Sequence, residues 1–350
     1  MPVRIGIVGA SEAAREIVDV LISIDEVRVI AVCDRDSSQA ESLARRCKAK
    51  TFANARAMLR PPTKRELARE SARRKNDDTD AQNTNAQSAT LPKSTIAAVG
   101  EKLRTLDAIC VLTSARNRNE AISLALQSGC DVFAMSPLSF SLDGSKQLLQ
   151  IAHDNRARIW TSHTIRFSPS AEHARKLLQA RGANVSTLHG SWRIDNDDLI
   201  NKAARDAQLL TSSTRCVDAL RLMNGEIKSV FARSSIGNIT LSIEFASGVV
   251  GAIVLGKNCE TALHWTTQNS LLTWRNDEVV LRQNNATQHF EYSNGVVAAQ
   301  RNELRAWLQS VESGRRTLAK SKPEGAIINL RVALAVVQSI TTNKPVRLEI

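Results

Sequence analysis

Aromatic residues are scarce in this chain of 350 residues, at 4% with a single tyrosine. Proteins that bind single-stranded nucleic acid stack bases on aromatic side chains, so this scarcity weighs against that function. Zinc-finger, RNA-recognition and basic-zipper patterns are also missing. The formal net charge of +12 therefore leaves three explanations open: a nucleic-acid surface, an anionic ligand or a generally basic surface.

Long apolar runs are missing as well. No uninterrupted stretch approaches the ~20 residues that span a bilayer, so the sequence predicts no membrane protein. The first residues lead directly into a strand without the apolar core of a signal peptide, which favours a cytoplasmic location. None of the six cysteines lies in a C-x-x-C pair or near a histidine at ligand spacing, so we expect reduced, structural thiols and no metal.

The first half alternates apolar strands with amphipathic helices, which predicts an α/β domain with a doubly wound parallel sheet over residues 1–160. The predicted strands are Val3–Val8, Val27–Cys33, Ala108–Leu112, Asp131–Ala134 and Arg158–Trp160. The predicted helices are Ala13–Ile22, Gln39–Arg46, Asn119–Gln127, Ser145–His153 and Ser170–Gln179.

Beyond about residue 184 the pattern changes to short strands separated by turns, which predicts an α+β domain over 161–350 with an open, mainly antiparallel sheet. We expect two closing helices, near Val296–Glu312 and Pro323–Thr341, that pack back on the first domain. An open sheet of this size leaves one face uncovered, so self-association through it is a reasonable hypothesis.

Residues 60–104 fit neither domain. This segment has no aromatic residue, ten basic and six acidic residues, and a long polar stretch. Such a composition cannot bury enough apolar surface to offset the entropy of ordering, so we predict a disordered insertion with a short basic helix at Lys64–Arg74. Nucleic-acid binding through this insertion is the weakest of our functional alternatives.

The first strand ends in a turn that is typical of a dinucleotide site. Gly9 supplies the tight turn and Ala14 the close helix packing, whereas Ser11 stands where a second glycine lets phosphate approach. Asp34 ends the second strand 25 residues after Gly9, a spacing suited to an acid that binds the ribose hydroxyls of NAD. Arg35 could instead hold the 2′-phosphate of NADP.

Several segments together resemble the Gfo/Idh/MocA family, the glucose–fructose oxidoreductase and inositol 2-dehydrogenase relatives that oxidise or reduce sugars with NAD(P). They are Val3–Ala14, Ala31–Asp36, Ala125–Phe133 leading into Ser136-Pro137-Leu138, Ser162–Pro169, which resembles His-x-x-Arg-Phe-x-Pro, and the closing Asn343–Leu348. The resemblance implies a Rossmann domain followed by an open antiparallel sheet, in agreement with the segment pattern. Cofactor contacts are predicted at Gly6, Gly9, Ala10, Ser11, Glu12, Ala13, Asp34, Arg35, Thr113, Ser114 and Pro137.

The catalytic motifs that the resemblance implies are replaced. The family's lysine after the fifth strand corresponds to Ser136, and its aspartate and histidine, four residues apart on a helix, correspond to Thr211 and Arg215. A further family histidine corresponds to Arg118. Oxidation of an alcohol needs a group that accepts the hydroxyl proton near the working pH, and arginine, threonine and serine do not titrate there.

Two hypotheses follow for the substrate pocket, which is predicted to contain Arg118, Ser136, His163, Arg166, Thr211 and Arg215. The leading one is a catalytically degenerate family member that binds nucleotide and serves as a sensor, scaffold or partner subunit. The alternative is an active oxidoreductase in which His163 accepts the proton or the arginines hold a sugar-like or anionic substrate. Arg166 is expected to pair structurally.

Overall fold

The computed structural model describes residues 2–60, 106–113, 115–180, 185–194, 202–235, 238–314 and 321–349. Apart from Arg60, the predicted insertion at 60–104 lies outside the described residues, as does Ser114. The interpretation of the insertion and of its nucleic-acid alternative therefore stays a prediction.

A parallel sheet of six strands forms the first half, in the order β3-β2-β1-β4-β5-β6. Its strands are β1 Val3–Val8, β2 Val27–Cys33, β3 Lys50–Phe52, β4 Ala108–Val111, β5 Asp131–Ala134 and β6 Ile159–Thr161. Its helices are α1 Glu12–Ile22, α2 Ser37–Cys47, α3 Ala55–Leu59, α4 Ala115–Gln127 and α5 Leu142–Asp154. The predicted parallel sheet is confirmed, with β3 and α3 as additional short elements.

A second sheet of nine strands forms most of the other half, in the order β14-β13-β12-β11-β7-β10-β9-β8-β15. Its strands are β7 Val185–Arg193, β8 Ile227–Ser235, β9 Asn238–Phe245, β10 Val250–Gly256, β11 Ala262–Thr267, β12 Ser270–Arg275, β13 Glu278–Gln283, β14 Ala286–Glu291 and β15 Val346–Arg347. The pairing is antiparallel except between β7 and β10, which run parallel because the long α7 separates β7 from the strands that follow.

Helices join the two sheets. A 3₁₀ turn at Thr164–Phe167 leads into α6 Pro169–Gln179, and α7 Lys202–Asn224, α8 Gly295–Ser313 and α9 Pro323–Thr342 follow. Helix starts obey local chemistry: the Asp36 carboxylate accepts hydrogen bonds from two N–H groups of α2, and the Ser168 hydroxyl caps α6, which has Pro169 in its first turn.

Helix α8 packs on the first sheet although it lies far along the chain. Leu304, Trp307 and Leu308 belong to the same buried cluster as the apolar residues of β1 and β2. The Trp307 ring lies 5.2 Å from the ring of Phe133 on β5. The core of the first half is therefore incomplete without a helix from the second half.

Helix α9 is long and apolar enough to cross a membrane by length and composition, with a mean hydropathy of 1.4 over its best window. Leu330, Ala333 and Val336 on this helix are buried in the protein, and the helix packs against α7 and β8. A mostly apolar helix enclosed by other elements is typical of a globular core.

Candidate functional site

The turn between β1 and α1 is the first part of the candidate site. Gly9 has φ +106°, and a Cβ atom there would lie 2.8 Å from the backbone carbon of Leu112 and from the backbone nitrogen of Thr113. Only glycine fits this turn, because the backbone conformation and the approach of the β4 end both exclude a side chain. Gly6, in contrast, lies inside β1, where a Cβ would meet the Ile109 side chain at 2.7 Å, so packing against β4 accounts for that glycine.

Asp34 lies at the carboxyl end of β2 and bonds to this turn. Its Oδ2 accepts a hydrogen bond from the Ala10 N–H at 2.7 Å, and its Oδ1 accepts one from the Asp36 N–H at 2.9 Å. A carboxylate oxygen can accept more than one hydrogen bond, so Asp34 keeps capacity for the ribose hydroxyls of a nucleotide. Arg35, beside it, is exposed.

The start of α1 is suited to an anionic group such as pyrophosphate, because the first N–H groups of a helix have no acceptor within the helix. Ser11 is the residue before the helix, and its hydroxyl accepts a long hydrogen bond of 3.4 Å from the Ala14 N–H. The side chains of Ser11 and Glu12 are exposed. The Gly9 turn, the helix start and Asp34 together fit a dinucleotide across the crevice between β1 and β4, where the strand order reverses.

A histidine–aspartate pair lies at the β6 side of the same sheet, beyond the carboxyl end of that strand. His163 follows β6, and its Nδ1 lies 3.3 Å from Oδ2 of Asp218 on α7, with 2% of each side chain exposed. Nε2 of His163 is buried and has no hydrogen-bond partner among the described residues. The pair thus has one imidazole nitrogen oriented by a carboxylate and the other available to a ligand.

Asp218 is the centre of a wider polar cluster. Arg166 donates to both of its oxygens, with Nη2 2.7 Å from Oδ1, and Asn329 on α9 donates to Oδ1 at 2.7 Å. Burial opposes ionisation of this carboxyl, but the charges and hydrogen bonds of His163 and Arg166 outweigh it and hold the pKa of Asp218 below its usual range. The expected structural pairing of Arg166 is what the structure shows.

Glu303 on α8 holds the backbone beneath His163. Its carboxylate accepts hydrogen bonds from the His163 N–H at 2.5 Å, from the Ser162 hydroxyl at 3.0 Å and from the Thr164 hydroxyl at 2.8 Å. Burial raises the pKa of Glu303, and these hydrogen bonds oppose the shift only in part. Asp218 and Glu303 therefore determine the imidazole orientation and its backbone position, respectively.

Arg118 on α4, which the sequence places in the substrate pocket, binds backbone carbonyl groups in the structure. Its guanidinium donates to the carbonyl oxygens of Thr113, Met135 and Pro137, the last at 2.6 Å. Its side chain is buried, and desolvation, followed by the charge of Arg215, lowers the pKa of Arg118 to about 10. Arg118 thus joins the ends of β4 and β5, and its charge remains inside the site.

The other predicted pocket residues surround these groups. Thr211, Arg215 and Asp218 follow at intervals of four and three residues, so they share one face of α7, on which Arg215 is exposed. Ser136 is buried, precedes a cis peptide bond to Pro137, and has a hydroxyl without a hydrogen-bond partner in the described part of the chain, as does Thr113.

Residues 3–163 match the model of the oxidoreductase family GFO_IDH_MocA, described as an NAD-binding Rossmann fold. This part of the chain thus matches the Gfo/Idh/MocA family model. The resemblance that the motifs indicated is thereby confirmed, and so is the NAD-binding fold on which the cofactor prediction depends. No curated protein sequence matches the chain.

Solved structures extend the likeness to nearly the whole chain. A myo-inositol dehydrogenase from Corynebacterium glutamicum has a TM-score of 0.71 and 15% identity, with 100% of both chains covered. An oxidoreductase from Agrobacterium radiobacter in complex with NAD+, L-tartaric acid and magnesium has a TM-score of 0.73 and 11% identity, covering 99% of this chain and 98% of that one.

Biliverdin reductase from Synechocystis, in complex with biliverdin and NADP+, has a TM-score of 0.72 and 15% identity, covering 97% of this chain and 100% of that one. Identities this low show a shared fold alone. The fold therefore extends beyond the family match into the second sheet, whereas the reaction must be argued from this chain's own residues.

Two residues of the site escaped the sequence reasoning. Glu303 lies four residues after Ala299 and four before Trp307. An acidic residue on the apolar face of the predicted helix is therefore the sequence signal that could have identified it. Asn329 had no such signal, because a lone amide in an apolar helix does not indicate its partner. Glu303 binds the His163 N–H and Asn329 binds Asp218, each across more than 100 residues of chain.

Proposed function

We propose that this chain is an NAD(P)-dependent oxidoreductase of a small hydroxylated substrate, with His163 and Asp218 as its proton-accepting pair. The observation that carries the proposal is the state of the imidazole: Nδ1 lies against the Asp218 carboxylate, and Nε2 is buried without a partner among the described residues. This pair replaces, by a different route, the acid–base function that Ser136, Thr211 and Arg215 cannot supply.

In this proposal, residues after β1 and β2 bind the nucleotide, and the residue after β6 accepts the proton. Asp34 and the Gly9 turn hold the nucleotide, and NAD or NADP, when bound, supplies the hydride acceptor. His163 Nε2 accepts the hydroxyl proton of the substrate. Asp218 keeps the Nδ1 proton in place and stabilises the positive imidazole that results, while Arg166 and Asn329 hold Asp218.

The enclosure of His163 sets a condition on this proposal. Because 2% of its side chain is exposed, the helices around it must move apart when a substrate enters. The same enclosure, with Ser136, Thr211 and Arg215 in place of the family's catalytic residues, favours a second candidate: a nucleotide-binding sensor, scaffold or partner subunit without turnover.

Nucleotide binding and turnover, measured on the same protein, separate the two candidates. We expect NADH or NADPH to bind in calorimetry, and turnover on a panel of polyols and hydroxy acids to fall at least 100-fold in His163→Asn with little change in nucleotide affinity. His153→Asn, at an exposed histidine of α5, is the matched control. Nucleotide binding without turnover on any substrate would support the second candidate, and absence of binding would reject both.

Self-association through the second sheet is a further part of the proposal. The outer face of this sheet exposes Val250 and Val254 on β10, at 51% and 40%, beside a shallow groove of about 600 Å³. Exposed apolar side chains on an open sheet favour burial against another surface. We expect Val250→Glu to shift the intact protein toward monomer in light scattering, whereas an unchanged mass would exclude this face.

A further inference from the structure

We propose that the ligand of this site is a hydroxy acid, whose carboxylate binds beside Arg118 and Arg215 while its hydroxyl faces His163. The inference rests on the proposed function and specifies its substrate class. A buried charge, two hydroxyl groups without partners among the described residues and the order of the strands support it.

Arg118 is a buried cation without a counterion among the described residues. Its side chain is 6% exposed, its hydrogen bonds go to uncharged carbonyl oxygens, and no carboxylate in the described part of the chain pairs with it. Burying a charge without its opposite is costly, and here Arg215 adds a second positive charge nearby. An anion at this place would neutralise the guanidinium and relieve its repulsion with Arg215.

The donors for such an anion are already oriented. Arg118 has five N–H groups, and four of them donate to backbone carbonyl oxygens. One N–H of Nη2 therefore has no acceptor among the described residues and can donate to a ligand. Arg215 is exposed on the face of α7 that it shares with Asp218, and its charge acts on Arg118, so the two arginines lie close enough to share one anion.

The hydroxyl of Ser136 supports the same reading. Ser136 is 3% exposed, its Oγ has no partner in the described residues, and the next residue, Pro137, carries a carbonyl that binds Arg118. A buried hydroxyl without a partner is unfavourable, and a carboxylate oxygen accepts from hydroxyl donors as well as from guanidinium. The Thr113 hydroxyl, at the end of β4, is in the same condition.

The strand order brings this group next to His163. Ala134 on β5 pairs with Thr161 on β6, so Ser136 and His163 each follow a paired position by two residues on neighbouring strands. Neighbouring strands lie about 4.8 Å apart. One short molecule can therefore place a carboxylate beside Ser136 and a hydroxyl beside His163.

Two probes of equal carbon skeleton test the inference without turnover. Tartrate and threitol differ only in that hydroxymethyl groups replace both carboxylates in threitol. We expect calorimetry on the intact protein at low salt to show tartrate binding at least tenfold tighter than threitol. Arg215→Gln should weaken tartrate binding at least tenfold, and Ser136→Ala by a smaller factor. Arg233→Gln, an exposed arginine of β8 on the second sheet, is the matched control and should leave the affinity unchanged.

The outcomes separate this inference from the proposed function. Equal affinity for tartrate and threitol, or an Arg215→Gln protein that binds tartrate as tightly as the unaltered one, would overturn the hydroxy-acid inference even if polyols are turned over. Tartrate binding that is retained in His163→Asn, with turnover in neither protein, would keep the anion site and reject the oxidoreductase. Tartrate turnover that His163→Asn loses, with binding retained, supports both.

Discussion

The candidate site has two parts, one at the carboxyl ends of β1 and β2 and one at the carboxyl ends of β5 and β6, and the two are built in opposite ways. At the β1–β2 end, the Gly9 turn, the α1 start and Asp34 bind each other through backbone N–H groups within about a tenth of the chain, and the side chains there are partly exposed. At the β5–β6 end, His163 is held by Asp218 and Glu303, which come from helices far along the chain, and all three are buried.

The difference separates a site that depends on local backbone geometry from one that depends on side chains of distant segments. A nucleotide is recognised largely by backbone geometry, so few side chains at that end need to be retained. Proton transfer depends on individual titratable groups and on what fixes them. Substitutions in both parts of the site test this contrast.

Removal of the Asp218 charge is expected to have the largest effect. Asp218→Asn removes a buried carboxylate from the half-buried Arg166, and we expect a loss of about 3 kcal/mol in the free energy of unfolding, measured in urea at pH 7. Because the folded pKa of Asp218 is lowered, its contribution is present above the unfolded value near 3.9 and declines as the pH falls toward the folded value.

Asp36→Asn is the matched control for this substitution, because asparagine caps a helix as well as aspartate does. An equal, small change in both variants would contradict the central role of Asp218 in the buried cluster.

A methyl group at Gly9 is expected to have the next largest effect. Gly9→Ala forces a side chain into φ +106° and against the β4 end, so we expect a loss of about 1–3 kcal/mol in unfolding free energy, together with weakened NADH binding. Gly314→Ala is the control, because Gly314 also has positive φ, with no atom within 4 Å of the added Cβ. Similar losses in both would show that the contact with β4 is unimportant.

Asp34 should matter for the nucleotide more than for the fold. Asp34→Asn removes the negative charge of the carboxylate that accepts a hydrogen bond from the Ala10 N–H. We expect NADH affinity to fall about tenfold in a fluorescence titration. Asp143→Asn, at an exposed acid in the first turn of α5, should leave the affinity as it was. Undiminished binding in Asp34→Asn would place the ribose elsewhere.

Glu303 should give the smallest effect, visible as a pH dependence. Its folded pKa is raised, so the protonated form stabilises the fold at low pH, and that stability is lost as the pH rises through the folded pKa. We expect Glu303→Gln to gain about 1 kcal/mol relative to the unaltered protein between pH 4.5 and neutral pH. Glu312→Gln, exposed on the same helix, should show no such trend, and a flat difference for Glu303→Gln would contradict the shift.

Much of the first sheet and of the nucleotide turn could be predicted from the sequence. Val3–Val8, Gly9 and Asp34 lie in a local pattern whose spacing reflects one strand–turn–helix unit and the next strand. The short β3 and the parallel pairing of β7 with β10 could not be predicted in the same way. Both depend on which strands become neighbours, and local periodicity carries no information about that.

By itself, the sequence determined the fold class and the nucleotide end, because hydrophobic periodicity and a glycine at a tight turn act over a few residues. The resemblance also predicts that the family's catalytic residues are replaced. Only the tertiary structure decided that Arg118 binds backbone carbonyls and that Asp218 and Glu303 converge on His163. The physical reason is that burial and charge pairing depend on contacts between distant segments, and those contacts exist only once the two sheets and helix α8 have packed together.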